Sequence, residues 1–428
     1  MLKAGSNRIP ELLAPAGGWP QLKAAVRFGA DAVYLACDRF GMRARANNFQ
    51  LDEIPGVVAY AHESGAKVHV TLNTLMQEAD LRILPEYLEA LADAGVDAFI
   101  IGDMGAFALA RKHAPNVELH VSTQASVMNS EAARMWHSLG AKRVVCAREM
   151  SIRDIAAMRE SVPDGLEIEA FVHGAMCVAY SGRCLLSSVM TGRTANRGAC
   201  AQSCRWSYAL VEEQRPGEYF EIEEDTRGTF ILNAQDLNMV SHLDELAQAG
   251  VDSFKIEGRN KQAFYVATVV GAYRNAMSGG NLQAAEAELL TISHRPYSTG
   301  FYYGPANQTP ERDGYVKECL HVGTVEDCGE QDGAWRVTAL CHNRFLPGDV
   351  LGVVSPHVAS YDIEVGEMCW LAPADGGKPF VERPPMTLEE ARAIAVEQPV
   401  SVANRSKERY VFKSSAPCKP GDYLRKPL

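Results

Sequence analysis

A short sequence unit recurs through roughly the first 260 residues of the chain. In each copy an amphipathic stretch ends at a glycine and is followed by a run of apolar and β-branched residues. The five copies have their glycines at Gly29, Gly65, Gly95, Gly140 and Gly250. A glycine just past a helix supplies a left-handed cap, and an uninterrupted apolar run is typical of a strand buried on both faces, as in a parallel sheet. The repeat therefore predicts consecutive helix–strand units.

Four further segments have the same strand character, namely ELLAPAG, ELHVSTQ, EIEAFVHG and TFILNAQD. With the five units they give nine candidate strands, one more than a (β/α)8 barrel needs, so one is expected to be misassigned or peripheral. We predict an α/β fold with a (β/α)8 TIM-like barrel, and a doubly wound open sheet is the alternative. In a barrel the catalytic groups lie at the C-terminal ends of the strands. The residues near those ends are polar, namely Asn73, Asp103, Gln124, Glu149, His173, Asp236, Glu257 and Arg259.

The sequence changes character after about residue 305. Segments such as HVGTVEDCG and WRVTALCHN alternate apolar and polar residues between Gly, Pro and Asn turns, which is typical of antiparallel strands. We predict a TIM-like barrel at residues 1–305, with a cysteine-rich cluster segment inserted at 169–208, and a small β-barrel-like domain at 306–428. Within the barrel, Ser151 and Asp154 have the spacing of a capping box, which predicts a helix start.

Charge and hydropathy limit how the protein could contact a nucleic acid or a membrane. A formal net charge of -11 argues against broad electrostatic contact with a phosphate backbone, so contact with a nucleic acid must use a local basic patch. No run approaches about 18 apolar residues, and Met1 to Pro10 lacks the features of a signal peptide. We therefore expect a cytoplasmic protein without membrane contact.

Four of the eleven cysteines fall within 28 residues, at Cys177, Cys184, Cys200 and Cys204. Glycines between them allow the backbone to wrap closely around a compact object. Cysteine thiolates, commonly four, hold iron–sulfur clusters, so the number favours a 4Fe-4S cluster. Zinc remains an alternative, although only Cys200 and Cys204 have spacing typical of a zinc knuckle, and unliganded thiols are the third possibility. The seven scattered cysteines are interpreted as small core residues.

The cysteine segment resembles the collagenase-like peptidases, the peptidase family of unknown catalytic type numbered thirty-two. The family signature runs Glu-x-Phe-x2-Gly-small-aliphatic-Cys-x4-Gly-x-Cys-x-aliphatic-Ser. It is met in full by Glu169, Phe171, Gly174, Ala175, Met176, Cys177, Gly182, Cys184, Leu186 and Ser187. The resemblance extends to LLAPAG, to Arg43 and Arg45 with Asn48-Phe49, to HVSTQAS and to FKIEGRNK. With its β-rich tail, the chain matches the tRNA-hydroxylation branch in length.

This resemblance implies 5-hydroxylation of the wobble uridine of tRNA, with prephenate as hydroxyl donor, no need for molecular oxygen, and an iron–sulfur cluster. Relatives hydroxylate a cytidine of ribosomal RNA or take part in ubiquinone synthesis, and these activities are alternatives. One departure concerns the cluster. Many relatives have a cysteine after an Asp-Leu pair, whereas Asn238 follows that pair here. We therefore choose Cys204 as the fourth ligand.

A site for prephenate, which has two carboxylates, should present cations that make charge-assisted hydrogen bonds. Five cations follow presumed strand ends, namely Arg43, Arg45, Arg148, Lys255 and Arg259. Glu257 is expected to position one of them, and Gln124 to contact a base or the donor. The tRNA anticodon region would offer a splayed base. A basic and aromatic surface for it is predicted from Arg183, Arg193, Arg197, Arg205 and Trp206.

Two further classes of function remain open. A peptidase needs a nucleophile with its base or an activated metal water, and the sequence has no HExxH or GxSxG motif. Ser187 and the candidate catalytic residue His173 are the pair it could offer, although nothing in their spacing orients them. The last alternative is a non-catalytic RNA-binding module stiffened by the cluster.

Overall fold

The computed structural model describes residues 9–42, 48–177, 179, 181–206, 209–210, 220–221, 235–306, 315–331 and 333–428. The described residues fall into two compact units, one within Met1–Glu286 and His294–Val316 and the other within Ala287–Ser293 and Lys317–Leu428. The predicted boundary after residue 305 falls inside the first unit. No described helix is both long enough and apolar enough to cross a membrane.

Twelve strands are described before residue 300. They are β1 (Glu11–Pro15), β2 (Ala32–Leu35), β3 (Lys67–Leu72), β4 (Ala98–Ile101), β5 (Glu118–Val121), β6 (Arg143–Val145), β7 (Glu167–Ala175), β8 (Ala209–Leu210), β9 (Phe220–Glu221), β10 (Asp236–Asn238), β11 (Ser253–Ile256) and β12 (Tyr297–Ser298). Strands β1 to β7 pair in parallel, each with the next. β11 pairs in parallel with both β7 and β1, which closes an eight-stranded barrel. The predicted TIM-like barrel is confirmed.

One of the nine predicted strands falls mostly outside the described residues. Most of the segment TFILNAQD falls at positions 229–234, outside the described residues, and its last residue, Asp236, begins β10. β10 pairs antiparallel with β7, with Leu237 opposite Gly174, and β12 pairs with β10. β10 therefore lies at the edge of the barrel rather than within its eight-stranded ring. Strands β8 and β9 pair with each other.

Helices alternate with the barrel strands. They are α1 (Trp19–Arg27), α2 (Ile54–Glu63), α3 (Glu78–Asp93), α4 (Met104–His113), α5 (Ser130–Ser138), α6 (Ile152–Ser161), α7 (Leu186–Thr191), α8 (Leu243–Gln248), α9 (Ala263–Met277) and α10 (Leu282–Leu290). The glycines of all five repeated units have positive φ, between 78° and 102°, as a left-handed helix end requires. The predicted capping box also forms, since the Asp154 N–H donates to Ser151 Oγ and the Ser151 N–H donates to Asp154 Oδ2.

The second unit contains one antiparallel sheet, as predicted. Its strands are β13 (Cys319–Gln331), β14 (Ala334–Cys341), β15 (Val350–Val354), β16 (Tyr361–Pro373), β17 (Ala395–Pro399), β18 (Arg409–Ser414) and β19 (Tyr423–Pro427), and its helix is α11 (Leu388–Ala393). β15 pairs with both β16 and β19, so six of the strands close into a ring. The ring is filled by apolar side chains that include Val337, Phe345 and Phe412.

Candidate active site

The barrel interior contains a buried ionic network centred on Arg143 of β6. Its guanidinium donates to Glu11 at 2.6 Å, to Glu167 at 2.8 Å and to Glu169 at 3.0 Å. Burial alone would favour the neutral carboxyl, yet Arg143 holds the pKa of Glu11 well below its usual value. Lys255 of β11 joins the network, because its Nζ donates to Glu169 Oε1 at 2.6 Å. Burial lowers the pKa of Lys255, and the carboxylate of Glu169 opposes that effect.

Two histidines share this interior. The rings of His69 and His120 meet edge to face, with centroids 4.9 Å apart. Desolvation lowers the pKa of His69 to about 3 and holds that of His120 well below its ordinary value. Both imidazoles are therefore neutral near pH 7, so they add no charge to the ionic network.

A cavity opens above this network, at the C-terminal ends of the barrel strands. It is lined by Tyr34, Met42, Thr71, Asn73, Ile100, Ser122, Thr123, Gln124, Arg148, Phe171, Lys255, Glu257 and Arg259. Within the described residues it holds about 50 Å³ of space. Since one water needs roughly 10–15 Å³, the cavity fits a group of a few heavy atoms, such as a carboxylate.

Three cations lie in the cavity wall. Lys255 Nζ is 4.6 Å from the centre of the Tyr34 ring, and the Arg148 guanidinium lies 3.9 Å over the ring of Phe171. Arg259 is buried. A positive wall backed by aromatic faces is suited to an anionic ligand.

Four of the candidate catalytic residues meet at this cavity, namely Gln124, Lys255, Glu257 and Arg259. Gln124 lies in a 3-10 helix, Thr123–Ala125, that Ser122 caps by accepting the Gln124 N–H at 3.2 Å. Glu257 Oε2 accepts the Tyr34 hydroxyl at 3.3 Å. Arg43 and Arg45 lie outside the described residues. Their proposed roles stay predictions.

The side chain of His173 is not part of the described cavity lining. Its ring is buried in β7 among tyrosines, with centroids 5.4 Å from those of Tyr273 and Tyr297, and burial lowers its pKa to about 3. Its Nδ1 is 3.3 Å from the Tyr273 hydroxyl, whereas Ser187 Oγ accepts the Ala201 N–H at 2.9 Å. A nucleophile and its base must be within hydrogen-bond reach. The contacts of these two described residues therefore do not make a nucleophile–base pair.

The cysteine segment is attached to the same end of the barrel. The Ser181 N–H donates to Glu149 Oε1 at 2.8 Å. Gly182 has a φ of 74°, and a Cβ there would lie 2.2 Å from the Gln124 carbonyl oxygen. Farther along, Arg197 donates to Asp80 at 2.8 Å. The backbone of the segment therefore reaches the loop that carries Gln124 into the cavity wall.

The four clustered cysteines are all described, and none is in a disulfide. Cys177 is accessible to solvent, but the protein around it raises the pKa of its thiol by desolvation. Cys184 and Cys200 raise it further, and Arg148 lowers it, so the Cys177 thiol is influenced electrostatically by both thiols and by this guanidinium. The 3-10 helix that carries Cys204, Ser203–Arg205, packs on α7.

Two metal groups use thiol donors of this kind, a zinc ion and an iron–sulfur cluster. Among the described residues, no three His, Cys, Asp or Glu side chains are arranged to hold a single metal ion. A four-iron cluster needs one thiolate at each iron, so its ligands stand farther apart than those of one ion. The four thiols supply the number and type of donors that a 4Fe-4S cluster uses, and the choice of a cluster over zinc stays a prediction.

Asn238 has a structural role in this chain. It pairs with His173 in the β7–β10 ladder. His173 precedes Cys177 by four residues, so an extended chain could separate their Cα atoms by up to roughly 13 Å. Asn238 Oδ1 accepts the Tyr273 hydroxyl at 3.2 Å and the Val240 N–H at 3.1 Å. A thiol at this position would face Tyr273 of α9. The choice of Cys204 as fourth ligand stays a prediction.

Several residues of the site are not among those predicted from the sequence. Tyr34, Thr71 and Phe171 line the cavity from within strands, and the Arg143 network lies beneath it. The signal available in the sequence for this network was a charge inside an apolar strand, since Arg143 begins RVV. A charge there must face a buried partner.

Known proteins resemble this chain over most of its length. The family model described as Peptidase family U32 matches residues 17–312. The tRNA hydroxylation protein P1 of Bacillus subtilis is 37% identical over 396 residues, covering 89% of this chain and 91% of that protein. A 23S rRNA 5-hydroxycytidine synthase of Escherichia coli is 39% identical over 276 residues, covering 64% of this chain and 40% of that protein. A collagenase of Porphyromonas gingivalis is 34% identical over 312 residues, covering 69% of this chain and 73% of that protein. The chain therefore belongs to peptidase family U32.

Proposed function

We propose that this protein is an RNA hydroxylase, and more narrowly that it forms 5-hydroxyuridine at the wobble position of tRNA with prephenate as the hydroxyl donor and without molecular oxygen. Similarity to the tRNA hydroxylation protein extends over 91% of that relative, against 40% of the ribosomal RNA enzyme. This difference in coverage supports tRNA over ribosomal RNA as the substrate.

The single observation that carries the proposal is the cationic cavity beside the cysteine segment. Lys255, Arg148 and Arg259 line one small space, and charge-assisted hydrogen bonds from such groups hold carboxylates against water. The space fits the carboxylate end of a small donor, whereas a polypeptide substrate would need an extended groove. Gln124 offers an amide donor and acceptor at the same wall, suited to the edge of a base or to the donor.

A 4Fe-4S cluster is proposed on Cys177, Cys184, Cys200 and Cys204. When bound, such a cluster supplies electron-transfer chemistry whose potential depends on charge and hydrogen bonding around its sulfurs. The residues of this chain would set those conditions. Arg148 lowers the pKa of the Cys177 thiol and also lines the cavity, so one cation acts on both a proposed cluster ligand and the proposed donor site.

Peptidase activity is the second candidate, and similarity to a collagenase favours it. The described residues give it little support, because His173 is held among tyrosines and Ser187 accepts a backbone N–H. Cleavage of gelatin by metal-free purified protein, abolished in Ser187→Ala, would establish the peptidase instead.

The proposal is tested by comparing the nucleosides of tRNA and ribosomal RNA from cells with and without the gene. We expect 5-hydroxyuridine derivatives to disappear from tRNA in the deletion strain and to return with the wild-type gene but not with Cys177→Ser. Unchanged 5-hydroxyuridine derivatives would overturn the tRNA assignment, and loss of 5-hydroxycytidine from ribosomal RNA would transfer the activity there. Retained tRNA affinity without turnover on any RNA would instead indicate a non-catalytic binding module.

A further inference from the structure

The cysteine segment exposes an unusual number of large apolar side chains. Leu185 is 66% exposed, Val189 78%, Met190 44% and Trp206 47%. Leu185 and Val189 are one helical turn apart, so they share a face of α7. The short helix before Trp206 packs on α7. We call these four residues the apolar platform, and a concentration of exposed apolar side chains in one segment commonly marks a binding site.

The charged residues in the sequence around the platform are all positive. Between Glu169 and Glu212 the sequence has no acidic residue but four arginines, although the whole chain has a net charge of -11. Arg183, next to the platform, is exposed, and Arg197 is engaged with Asp80. A local excess of positive charge among apolar and aromatic side chains suits a partner with both phosphates and flat hydrophobic faces.

The platform also lies beside the proposed reaction site. Gly182 touches the loop of Gln124, and Leu185 follows it by only three residues. An enzyme that acts on a base takes that base out of its stack into a pocket. The unpaired nucleotides on either side then need a surface outside the pocket.

We propose that the apolar platform binds the unpaired nucleotides that flank the modified one, by base stacking on Trp206 and apolar contact with Val189, while Arg183 binds phosphate. This inference rests on the proposed RNA function. An apolar protein partner would fit the exposed side chains alone, but single-stranded RNA also accounts for the one-sided charge and for the position next to the cavity.

The experiment measures the affinity of purified protein for an anticodon stem-loop RNA and for the same RNA with its loop closed by a complementary oligonucleotide. Because stacking of one base on an aromatic ring contributes substantially to binding, Trp206→Ala should weaken stem-loop binding at least about fivefold. Val189→Ser should weaken it by a smaller factor. The closed-loop RNA should bind wild type and variants equally. Met135→Ser is the matched control, since Met135 is 58% exposed on α5, and it should bind like wild type.

Charge is tested separately with Arg183→Gln. Loss of one phosphate contact should reduce the slope of log affinity against log salt by about 0.7. Iron content and thermal unfolding are measured in parallel, so that a damaged cysteine segment is recognised.

Wild-type stem-loop affinity in both Trp206→Ala and Val189→Ser would overturn the platform assignment. Loss of a protein complex in these variants, with RNA affinity unchanged, would also overturn it and assign the surface to a protein partner. If wild-type protein binds the loop through the platform but leaves tRNA unmodified, the platform stands and the proposed hydroxylation fails.

Discussion

Replacement of Gly182 by alanine tests how closely the cysteine segment must sit on the barrel. The added Cβ would lie 2.2 Å from the Gln124 carbonyl oxygen, whereas real Cβ contacts stay beyond 3.0 Å. One of the two backbones must therefore move. Gly192→Ala is a matched control, because Gly192 has a φ of 69° against 74° at Gly182 but has nothing within 4 Å of the added Cβ.

The free-energy costs of the left-handed backbone and of overpacking can be told apart by comparing the two variants. A non-glycine residue in the left-handed region costs about 1–2 kcal/mol, and both variants share this cost. Overpacking against backbone adds roughly 1–3 kcal/mol in Gly182→Ala alone. We expect the total in that variant, roughly 2–5 kcal/mol, to be relieved by displacement of the segment from the Gln124 loop.

The assay combines iron content, limited proteolysis of the segment and the tRNA hydroxylation rate. Gly182→Ala should be cleaved faster within the segment, retain less iron and hydroxylate more slowly, while Gly192→Ala stays close to wild type. Equal behaviour of the two variants in all three measurements would refute the argument that this close approach seats the segment.

Three further outcomes are expected. Arg143→Met should lower the stability of the barrel by about 3–5 kcal/mol and make it more stable at pH 5 than at pH 7 in thermal unfolding. The reason is that burial without a cation would raise the pKa of Glu11, and stability from a raised carboxyl pKa is lost as pH rises; a variant with a flat profile would contradict this. Cys177→Ser should lose the iron and Cys328→Ser should keep it, as measured on anaerobically purified protein, and iron loss in both would disprove the ligand choice. Arg259→Ala should require at least about tenfold more prephenate, since losing a charge-assisted hydrogen bond costs about 1.5–3 kcal/mol, with iron unchanged; wild-type donor dependence would place the donor elsewhere.

The barrel could be predicted because its local signals agree with its global pairing. Glycines such as Gly95 and Gly140 end helices in the left-handed conformation, and the apolar runs after them become parallel strands. The count of nine strands did not reveal which one was peripheral. That depends on the antiparallel pairing of β10 with β7, a long-range contact that leaves no local pattern.

The site was harder to predict than the fold. Proximity to a strand end selected Gln124, Lys255, Glu257 and Arg259, which do meet at the cavity, because the strand ends of a barrel converge. The same rule selected His173, whose side chain lies among tyrosines. Side chains alternate between the two faces of a strand, so closeness to a strand end alone does not determine which residues face the cavity.

The hydrogen bonds of Arg143 and Lys255 explain why only Lys255, of these two cations, can serve a ligand. Arg143 donates from Nε and both Nη atoms to three carboxylates. All of its guanidinium N–H groups are therefore used within the network. Lys255 donates to Glu169 within the described part of the chain, and an ammonium has three donors, so donors remain for an anion in the cavity. Because Glu169 is shared with Arg143, it only partly neutralises Lys255. The network therefore fixes Lys255 in place without neutralising it, and a bound carboxylate would complete its hydrogen bonding.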